Sequence, residues 1–374
     1  MAKASQNNEL FRTMQKHNIQ IKNGSLNITV LEQTIPLNEL LDFASRENPK
    51  RGFLFVSKVL GKHIPVKPSL MRDAYNALAE KVVGAESSFV VGMAETATGL
   101  GAGFADSLAN KQKQDVYYQH TTRYKADKPI WLTLDEAHSH AVDHILYQAE
   151  QPLLSSITKS RRLILVDDEI STGRTLKLLG DKLLPKMEQV KEVVIVSLVN
   201  WLSQEHRDQF DAWGIPVTHV SLLDGNFTFI PVPGFSPSLP KNVDKDLDTR
   251  ACRKDLGRFG LKMPFDGPIP KLDIDQPRAV IGDGEHLYLP FLAAEKAEQR
   301  GGDVVFQSTT RSPIMLGNAI LSKQAFRVDE RNVEHYIYNL QDVGRKAVHF
   351  LEDECQRKIN QLAARFPLLE SEIE

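Results

Sequence analysis

The chain has little cysteine, no long apolar run and no excess of charge of either sign. Its 374 residues include two cysteines, Cys252 and Cys355, which lie far apart in the sequence. This excludes a disulfide scaffold and a cysteine zinc site, and it fits a reducing compartment. No stretch reaches the ~18 consecutive apolar residues of a membrane span, and the N-terminus lacks the apolar core of a signal peptide. We therefore expect a cytoplasmic protein without a membrane partner.

The charges nearly cancel, because 46 Lys and Arg residues accompany 48 Asp and Glu residues and give a formal net charge of −2. A protein that wraps a nucleic-acid backbone needs a surplus of positive charge, so a nucleic-acid partner is disfavoured. The hydrophobic fraction of 41% and the charged fraction of 25% are ordinary for globular proteins. At this length we expect two or three domains, since one domain holds about 150 residues.

Proline marks one boundary, because it lacks a backbone N–H and opposes both helices and central strands. Four prolines fall within one short stretch: Pro231, Pro233, Pro237 and Pro240. We predict a first domain at residues 20–230, a Pro-rich linker at residues 231–248 and a second domain with a terminal helix at residues 249–374.

Before this linker, short apolar runs such as SSFVVGM, RLILVDD and EVVIVSLVN alternate with amphipathic stretches. This alternation is typical of βαβ units and predicts an α/β fold with a parallel sheet that is covered by helices. We expect amphipathic helices at residues 136–150 and, in the second domain, at residues 340–366.

The second half carries a weak internal repeat of the first half. The matched positions are Gly92 with Gly282, Glu95 with Glu285, Gln119 with Gln307, Thr122 and Arg123 with Thr310 and Arg311, His144 with His335, and Tyr147 with Tyr338. Chance similarity between two strand-helix-strand units is one explanation. We favour duplication, because several matched residues are polar and hydrophobic periodicity does not require them.

The strongest motif is LILVDDEISTGRT at residues 163–175. Its apolar residues predict a buried strand that ends at Asp167 and Asp168, and a turn rich in Ser, Thr and Gly then opens a helix. Ligands of parallel sheets gather at the C-terminal ends of strands, and a helix N-terminus offers N–H groups to a phosphate. The order of parts suits a phosphorylated sugar. A strand with an acidic end and a capped helix would use the same residue types.

This stretch resembles the phosphoribosyl pyrophosphate motif of the type I phosphoribosyltransferases: an apolar strand, two acidic residues, two variable residues and Ser/Thr-Thr-Gly-x-Thr/Ser. Every fixed position is filled. The resemblance implies that Asp167 and Asp168 act in catalysis by binding the ribose hydroxyls, with Mg2+ held through the substrate and through these carboxylates. The implied 5-phosphate loop consists of Ser171, Thr172, Gly173, Arg174 and Thr175.

Residues 20–340 are similar to a narrower group, the phosphoribosyltransferase-like proteins with a C-terminal TRSP domain, which are encoded in stress gene clusters linked to tellurite resistance. Residues 310–313 spell TRSP, and the segments FVSKVLGKHIPVKP and EAHSHAVDHILY also resemble that group. The resemblance implies a type I phosphoribosyltransferase fold with an N-terminal cap, followed by an α/β TRSP domain. It further implies a homodimer and partner enzymes from the same gene cluster.

A type I transferase also holds pyrophosphate in a loop between an early strand and a helix, and MAETATGLG occupies that place. The candidates are Ala94, Glu95, Thr96 and Ala97. This loop departs from the commoner family pattern, because it has no Lys or Arg and contains an acidic residue. A turn that only begins a helix would have the same composition. Lys58, Lys62 and His63 are further candidates for the diphosphate, or else residues of a lysine-protected strand edge.

The segment from Thr121 to His140 resembles in position the loop that closes over the site in this fold. Its candidates for neutralising a departing pyrophosphate are Arg123, Lys125, His138 and His140. Either histidine is also a candidate acid or base, since free imidazole titrates near ~6.5. His140 and His144 would share one face of a helix, but a zinc site there has no clear third ligand. Solvated polar residues are the alternative for each histidine.

Asn200 and Trp201 follow the run EVVIVSLV, where related transferases often contact the acceptor. Trp201 would stack on a heterocycle, or it would simply pack in the core. Arg311 in the second domain is a candidate for binding an anion through two hydrogen bonds, whereas the neighbouring Pro313 favours a structural turn.

These residues and the resemblance predict a Mg2+-dependent phosphoribosyltransferase. It would transfer the ribose 5-phosphate group of phosphoribosyl pyrophosphate to a nitrogenous, nucleobase-like acceptor and release pyrophosphate. Two alternatives stay open at this point. One is a regulatory protein that binds phosphoribosyl pyrophosphate without catalysis, and the other is an interaction scaffold with a vestigial site.

Overall fold

The computed structural model describes residues 14–46, 51–135, 142–234, 248–249, 256–328, 334–353 and 356–366. Most of the predicted linker at residues 231–248 lies outside the described residues. In the part of the chain that is described, no helix is long and apolar enough to cross a membrane.

The elements up to the predicted linker are β1 (Gln15–Ile21), β2 (Gly24–Gln33), α1 (Leu37–Leu40), β3 (Leu41–Ser45), β4 (Phe53–Ser57), α2 (Pro68–Lys81), β5 (Ser88–Gly92), α3 (Ala97–Gln112), β6 (Val116–His120), β7 (Tyr124–Lys125), β8 (Ile130–Asp135), β9 (Val142–Tyr147), α4 (Leu153–Thr158), β10 (Arg162–Ile170), α5 (Arg174–Leu183), β11 (Glu192–Asn200), α6 (Gln204–Asp208) and β12 (Val217–Pro231). The later elements are β13 (Asp248–Thr249), β14 (Leu261–Met263), β15 (Arg278–Gly282), α7 (Tyr288–Gln299), β16 (Val304–Ser308), β17 (Lys323–Arg327), β18 (Glu334–Tyr338), β19 (Lys346–Phe350) and α8 (Gln361–Arg365).

A large sheet with the order β1-β2-β12-β11-β10-β5-β6-β14 organises the first half. Its central strands β12, β11, β10, β5 and β6 are parallel, whereas β2 and β14 pair antiparallel at the two sides. The runs LILV in β10 and VVIVSLV in β11 consist almost entirely of Leu, Ile and Val, as expected of parallel strands that are covered on both faces. The predicted α/β class is therefore confirmed, and the C-terminal ends of β5, β10 and β11 share one edge.

A smaller parallel sheet with the order β16-β15-β19 organises the second half. It reproduces the order β6-β5-β10 at the centre of the large sheet. The register is also reproduced, because Gly92 pairs with Val166 and Gly282 pairs with Phe350 at the ends of the equivalent strands. Each half continues with an antiparallel hairpin, β8-β9 in the first and β17-β18 in the second.

Hydrogen bonds at matched positions confirm the repeat. The Thr121 N–H donates to the Gly92 carbonyl at 3.0 Å, and the Thr309 N–H donates to the Gly282 carbonyl at 3.0 Å. The side-chain amide of Gln119 donates to the Tyr147 carbonyl, and the amide of Gln307 donates to the Tyr338 carbonyl. Buried polar groups require partners, so the matched polar residues of the sequence are those that brace each half.

Each half contributes a segment to the edge of the other half's sheet. The Gly257 carbonyl accepts a hydrogen bond from the His120 N–H at the end of β6, and β14 extends that edge. In the other half, the Gly61 carbonyl accepts from the Ser308 N–H at the end of β16. Helices α3 and α7 lie in one shared apolar core with both sheets. A segment that follows the linker therefore completes the first sheet, so in space the two predicted domains interlock.

Helix α3 owes its central place to its small residues. A β-carbon on Gly103 would lie 2.2 Å from the ring of Tyr75 in α2, which is too close for any larger residue. The small residues after β5 thus have a packing role in addition to any role in binding.

Two helix predictions were wrong. Within residues 136–150, the described part forms strand β9, and within residues 340–366 the chain forms β19 and the short α8. The segments VDHILY and KAVHF have β-branched and aromatic residues that suit strands, and pairing with β8 and β15 outweighs the helical periodicity that each segment shows in isolation.

Candidate functional site

Three consecutive acidic residues, Asp167, Asp168 and Glu169, lie near the C-terminal end of strand β10, just before its last residue Ile170, and they are partly exposed. Asp167 Oδ1 accepts a hydrogen bond from the Asp168 backbone N–H at 2.9 Å. Among the described residues, neither aspartate forms an ion pair, whereas Glu169 accepts two hydrogen bonds from Arg51, each of 2.7 Å. Burial and the neighbouring charge of Asp168 raise the pKa of Asp167 well above its usual range. A bound cation or hydroxyl donors would offset the burial and the repulsion that raise this pKa, so this end of the strand favours such ligands.

The turn after β10 leads directly into α5. Gly173 stands at the helix N-cap with φ of 71°, a left-handed conformation that glycine adopts without steric cost. A β-carbon there would lie 2.8 Å from the ring of Phe210, so the position also has no room for a side chain. Gln209 anchors the turn by donating to the Thr172 carbonyl at 2.7 Å. The first N–H groups of α5 point into this turn, as an anion site requires.

All five residues of the predicted 5-phosphate loop lie in this turn or at the start of α5: Ser171, Thr172, Gly173, Arg174 and Thr175. Thr172, Arg174 and Thr175 are exposed, and Ser171 is half-buried. The strand, turn and helix that the motif needs are thus in place.

The predicted pyrophosphate loop lies beside the end of β10. The Met93 N–H donates to the Val166 carbonyl at 2.9 Å, and the Ala94 N–H donates to the Thr121 hydroxyl at 2.9 Å. Ala97 begins α3, and Thr96 is its N-cap residue. The four candidates from Ala94 to Ala97 therefore lie next to the acidic strand end.

Glu95 binds two cations that come from distant parts of the chain. The Lys62 ammonium donates to Glu95 Oε1 at 2.6 Å, and Arg311 Nε lies 3.4 Å from Glu95 Oε2. Burial raises the pKa of the Glu95 carboxyl, but the charges of Lys62 and Arg311 outweigh that effect and lower it to about 2. The loop that lacks its own basic residue thus receives two from outside.

Two further basic residues, Arg46 and Arg51, lie near the acidic strand end, and the sequence analysis missed both. Arg51 binds Glu169, and Arg46 donates to the Ser312 hydroxyl at 2.8 Å. The sequence around them shows neither a strong periodicity nor a motif, so only the fold brings both arginines to β10. Glu169 was also missed, although its place directly after the two aspartates was a signal.

The other predicted site residues have more varied surroundings. Lys58 donates to the Asn38 carbonyl at 2.9 Å rather than to the pyrophosphate loop. His63 is buried, and its burial together with the charge of Lys62 lowers its pKa to about 3. Arg123 has an exposed side chain, and its backbone N–H donates to Glu285 Oε1 at 2.8 Å. His138 and His140 lie outside the described residues.

His144 does not share a helical face with His140, because it lies in strand β9. Its Nδ1 is 3.1 Å from the Thr121 hydroxyl, and burial together with the charge of Arg123 lowers its pKa to about 3. It is therefore neutral at physiological pH. Among the described residues there is no group of three or more His, Cys, Asp or Glu side chains that would hold a metal ion by themselves.

Asn200 and Trp201 follow β11 at the same edge of the sheet. Asn200 is buried, donates to Asp224 at 3.3 Å and accepts from the Leu202 N–H at 3.0 Å. Trp201 is 5% exposed and packs against Phe55 and Phe227. Both residues are thus engaged in packing contacts, and their contact with an acceptor stays a prediction.

The chain matches two family models. The model described as Phosphoribosyl transferase matches residues 40–226, and the model described as TRSP domain C terminus to PRTase_2 matches residues 271–366. No curated protein matches the chain.

Solved structures of adenine phosphoribosyltransferases are similar to part of the chain. The enzyme from Rhodothermus marinus is 20% identical, with 50% of this chain and 95% of that chain covered and a TM-score of 0.32. The enzyme from Trypanosoma brucei, solved in complex with AMP, pyrophosphate and ribose-5-phosphate, is 14% identical, with 52% and 82% covered and a TM-score of 0.35. The enzyme from Thermoanaerobacter pseudethanolicus is 17% identical, with 50% and 99% covered and a TM-score of 0.35.

TM-scores of 0.32 and 0.35 are too low to support a conclusion about this chain. The two family models together cover most of the chain. The first model alone covers half of it and includes the acidic strand end, the turn before α5 and the loop after β5. The chain belongs to this phosphoribosyl transferase family, with a type I phosphoribosyltransferase fold that is followed by a TRSP domain.

Proposed function

We propose that the protein is a phosphoribosyltransferase that moves the ribose 5-phosphate group of phosphoribosyl pyrophosphate to a nitrogenous, nucleobase-like acceptor and releases pyrophosphate. The observation that carries this proposal is the pair Asp167 and Asp168 near the C-terminal end of β10, which only Glu169 and Ile170 separate from the turn at the start of α5. The two aspartates form no ion pair with the described residues, so their charge is available to a ligand.

The turn before α5 suits the 5-phosphate. Backbone N–H groups at a helix N-terminus attract an anion, and the hydroxyls of Ser171, Thr172 and Thr175 add donors. Gly173 lets the phosphate approach the backbone closely, and the exposed Arg174 adds a positive charge. Holding the phosphate here fixes the ribose above the end of β10, where it is oriented for attack.

Asp167 and Asp168 suit the ribose. Carboxylate oxygens accept hydrogen bonds from vicinal hydroxyls. Displacement of pyrophosphate leaves positive charge on the sugar in the transition state, and two fixed carboxylates nearby stabilise that charge. The bond from C1 to the diphosphate oxygen breaks as the bond from C1 to the acceptor nitrogen forms, so positioning of both partners governs the rate.

The same two carboxylates suit Mg2+. This ion prefers oxygen ligands and is usually bound through one or two carboxylates together with substrate phosphates, and the site has two aspartates of this kind rather than a complete protein cage. When bound, Mg2+ would neutralise charge on the diphosphate and improve it as a leaving group. Asp167 and Asp168 would hold it, and their mutual repulsion would be relieved.

The acceptor side of the reaction rests on fewer observations. Asn200 and Trp201 lie at the edge of the sheet where β10 also ends, and we assign them to the acceptor. Arg123, His138 and His140 remain candidates for charge neutralisation or proton transfer. A homodimer and partner enzymes of the same stress gene cluster are further proposals that rest on the family resemblance.

Calorimetric titration of phosphoribosyl pyrophosphate, with and without Mg2+, tests the donor site. We expect binding to the native chain that Mg2+ strengthens, and loss of that binding in the double variant Asp167→Asn/Asp168→Asn. The matched control is Asp73→Asn, which changes an exposed aspartate on α2 and should bind as the native chain does. No binding to the native chain would exclude the transferase.

A regulatory protein that binds phosphoribosyl pyrophosphate without catalysis is the second candidate, and the acidic Glu95 in the pyrophosphate loop favours it. Lys62 and Arg311 at that loop favour the enzyme, since they supply the positive charge that the loop itself lacks. Release of pyrophosphate when nucleobase-like acceptors are added distinguishes the two. Binding without release for every acceptor would support the regulatory protein.

A further inference from the structure

A segment of the second half forms part of the wall of the proposed donor site. This segment, Thr309–Pro313, follows β16 and contains the four residues Thr-Arg-Ser-Pro. Two backbone hydrogen bonds between Thr310 and Tyr336, of 2.9 and 2.7 Å, fix its start. The Met315 N–H donates to the Ser45 carbonyl at 2.9 Å, which fixes its end against β3. The segment is therefore held rigidly against the first half.

Among the described residues of the first half, three charged side chains contact this segment, and all three lie around the site. Lys62 donates to the Thr309 carbonyl at 2.9 Å. Arg46 donates to the Ser312 hydroxyl at 2.8 Å, and Glu95 lies 3.4 Å from Arg311. The segment thus reaches the pyrophosphate loop and the basic residues near the acidic end of β10 at the same time.

Glu95 has an unusual place among these charges. It is the acidic residue in a loop where an anionic group of the donor is expected, and it binds the buried Lys62, which is 3% exposed, together with Arg311. The Glu95 carboxylate, itself 12% exposed, therefore serves as an internal counter-ion at the place where a diphosphate would bring its own negative charge.

We propose that Arg311 binds the diphosphate of the donor from the second half of the chain, and that Glu95 holds Arg311 and Lys62 until the diphosphate replaces it. The proposal rests on the proposed function and adds a binding residue to it. A guanidinium forms two parallel hydrogen bonds with a phosphate, so Arg311 is suited to orient the leaving group as well as to neutralise it.

The matched site of the repeat shows why the Glu95 contact is exchangeable. Glu285, the residue that corresponds to Glu95, accepts from the Thr122 hydroxyl at 2.5 Å and from the Arg123 N–H at 2.8 Å, and its ion pair with Arg258 is 3.0 Å long. Its side chain is 0% exposed. Glu95 is partly exposed, and its distance of 3.4 Å to Arg311 is longer than the 3.0 Å between Glu285 and Arg258. An incoming phosphate oxygen can therefore replace Glu95 as the partner of Arg311.

The test compares the affinities of full-length variants for inorganic pyrophosphate and for ribose 5-phosphate, measured by calorimetry in the presence of Mg2+. Arg311→Met should weaken pyrophosphate binding by about 10- to 100-fold, the equivalent of one lost hydrogen bond to a charged group, and leave ribose 5-phosphate binding unchanged. The pyrophosphate affinity of Arg311→Lys should lie between those of the native chain and of Arg311→Met. The matched control is Arg345→Met, which removes an arginine that binds Asp303 in the same half.

Glu95→Gln gives a second test with the opposite sign. Removal of the counter-ion should strengthen pyrophosphate binding, because Lys62 and Arg311 can then bind pyrophosphate without first giving up the Glu95 carboxylate. The strengthening should shrink when Arg311→Met is also present. Should Arg311→Met fail to fold, as judged by lost ribose 5-phosphate binding, Glu95→Gln alone decides.

Three outcomes would overturn the proposal. Unchanged pyrophosphate binding in Arg311→Met would show that Arg311 does not contact the diphosphate, while the donor site at Asp167 and Asp168 would stand. Weaker binding in Glu95→Gln would show that Glu95 assists the ligand rather than competes with it. Absence of both pyrophosphate and phosphoribosyl pyrophosphate binding in the native chain would overturn this proposal together with the proposed function.

Discussion

The ends of β10 and β19 occupy equivalent places in the two halves of the repeat, yet their charges are treated in opposite ways. β10 contains Asp167 and Asp168 near its C-terminal end, and these form no ion pair with the described residues. β19 continues into Leu351 and Glu352, and Glu352 is bound by Arg258. The end of β10 thus has two carboxylates without an ion-pair partner among the described residues. The end of β19 has an apolar residue at the first of these positions and a carboxylate paired with an arginine at the second.

This difference separates what the repeat needs for folding from what it needs for binding. The bracing hydrogen bonds of the matched Gln, Thr and Tyr residues occur in both halves, so they belong to the scaffold. The open acidic pair occurs in one half only, and its electrostatic cost is tolerated there. Stability is usually lower where charge is kept available for a ligand, and the closed site of the second half shows the alternative.

The largest effect should follow from removing the cation of the closed site, which is the cluster of Arg258, Glu285 and Glu352 in the second half. Arg258→Met would leave Glu285 buried without its cation, and breaking a buried pair in this way costs about 3–5 kcal/mol. We expect a loss of that size in the free energy of unfolding, measured by urea denaturation. Arg345→Met removes a partly exposed pair with Asp303 and should cost less than about 1 kcal/mol. Equal losses in the two variants would contradict a special role of the Arg258 network.

The next largest effect should come from the open site, and it should appear in binding rather than in stability. Asp168→Asn removes a charge from a repelling pair, so the free energy of unfolding should stay unchanged or rise. Affinity for phosphoribosyl pyrophosphate should fall by about 10- to 100-fold, as for one lost charged hydrogen bond.

Glu352→Gln is the matched change in the other half, and it should do the reverse. It removes one partner of Arg258 and should lower stability without changing the affinity for the donor. Calorimetry and urea denaturation of both variants check the pair of predictions. Loss of donor affinity in Glu352→Gln would mean that the second site also serves the ligand.

The sequence predicted the parts of this comparison that are local. The motif at residues 163–175, the strands of the α/β sheet and the repeat were all predictable, because each is encoded in consecutive residues or in matched polar positions. The identity of β9 and β19 was not, because amphipathic periodicity in a short segment fits a helix until a neighbouring strand pairs with it.

Lys62 and Arg311 were candidates from the sequence, but Arg46, Arg51 and the meeting of Lys62 with Arg311 could not be predicted, because these cations come from separate segments. Arg46 follows β3, Arg51 precedes β4, Lys62 follows β4, and Arg311 belongs to the other half. No spacing in the sequence links them. Only the folded contact between the halves brings Lys62 and Arg311 together at Glu95.

Acid should affect the open site before it affects the closed one. Burial and the charge of Asp168 raise the pKa of Asp167, so this carboxyl takes up a proton at a higher pH than usual. A raised pKa means that its ionised form, which binds the donor, is lost early as the pH falls. Burial raises the pKa of Glu285, but the charge of Arg258 lowers it by more, so this pKa lies below its usual value. Its stabilising charge is present above its unfolded pKa and is lost only as the pH falls through the lower folded value.

We therefore expect the affinity for phosphoribosyl pyrophosphate with Mg2+ to fall on acidification, by at most about tenfold per pH unit for one proton, while the free energy of unfolding changes less. Calorimetry and urea denaturation over the same pH series check this order. Asp167→Asn should flatten the pH dependence of binding. A parallel decline of affinity and stability would show that both halves titrate together.

The smallest effect should come from the scaffold, where the two halves are alike. The Tyr147 hydroxyl accepts from the Ala126 N–H at 2.6 Å and donates to the Tyr124 carbonyl at 3.0 Å. The Tyr338 hydroxyl accepts from the Ile314 N–H at 2.8 Å and donates to the Ser312 carbonyl at 2.7 Å. Tyr147→Phe and Tyr338→Phe should each lower the free energy of unfolding by about 1 kcal/mol.

The functional consequences of these two changes should differ in spite of their equal cost. The Tyr338 hydroxyl holds the residues on either side of Pro313, and that segment carries Arg311 to the pyrophosphate loop. Tyr338→Phe should therefore weaken pyrophosphate binding, by less than Arg311→Met does, because the guanidinium is still present but less well oriented. The Tyr147 hydroxyl holds the residues on either side of Lys125 instead, so Tyr147→Phe should leave pyrophosphate binding closer to native. If the two variants bind pyrophosphate equally, the second half supports the site only through overall stability and not through the placement of its own arginine.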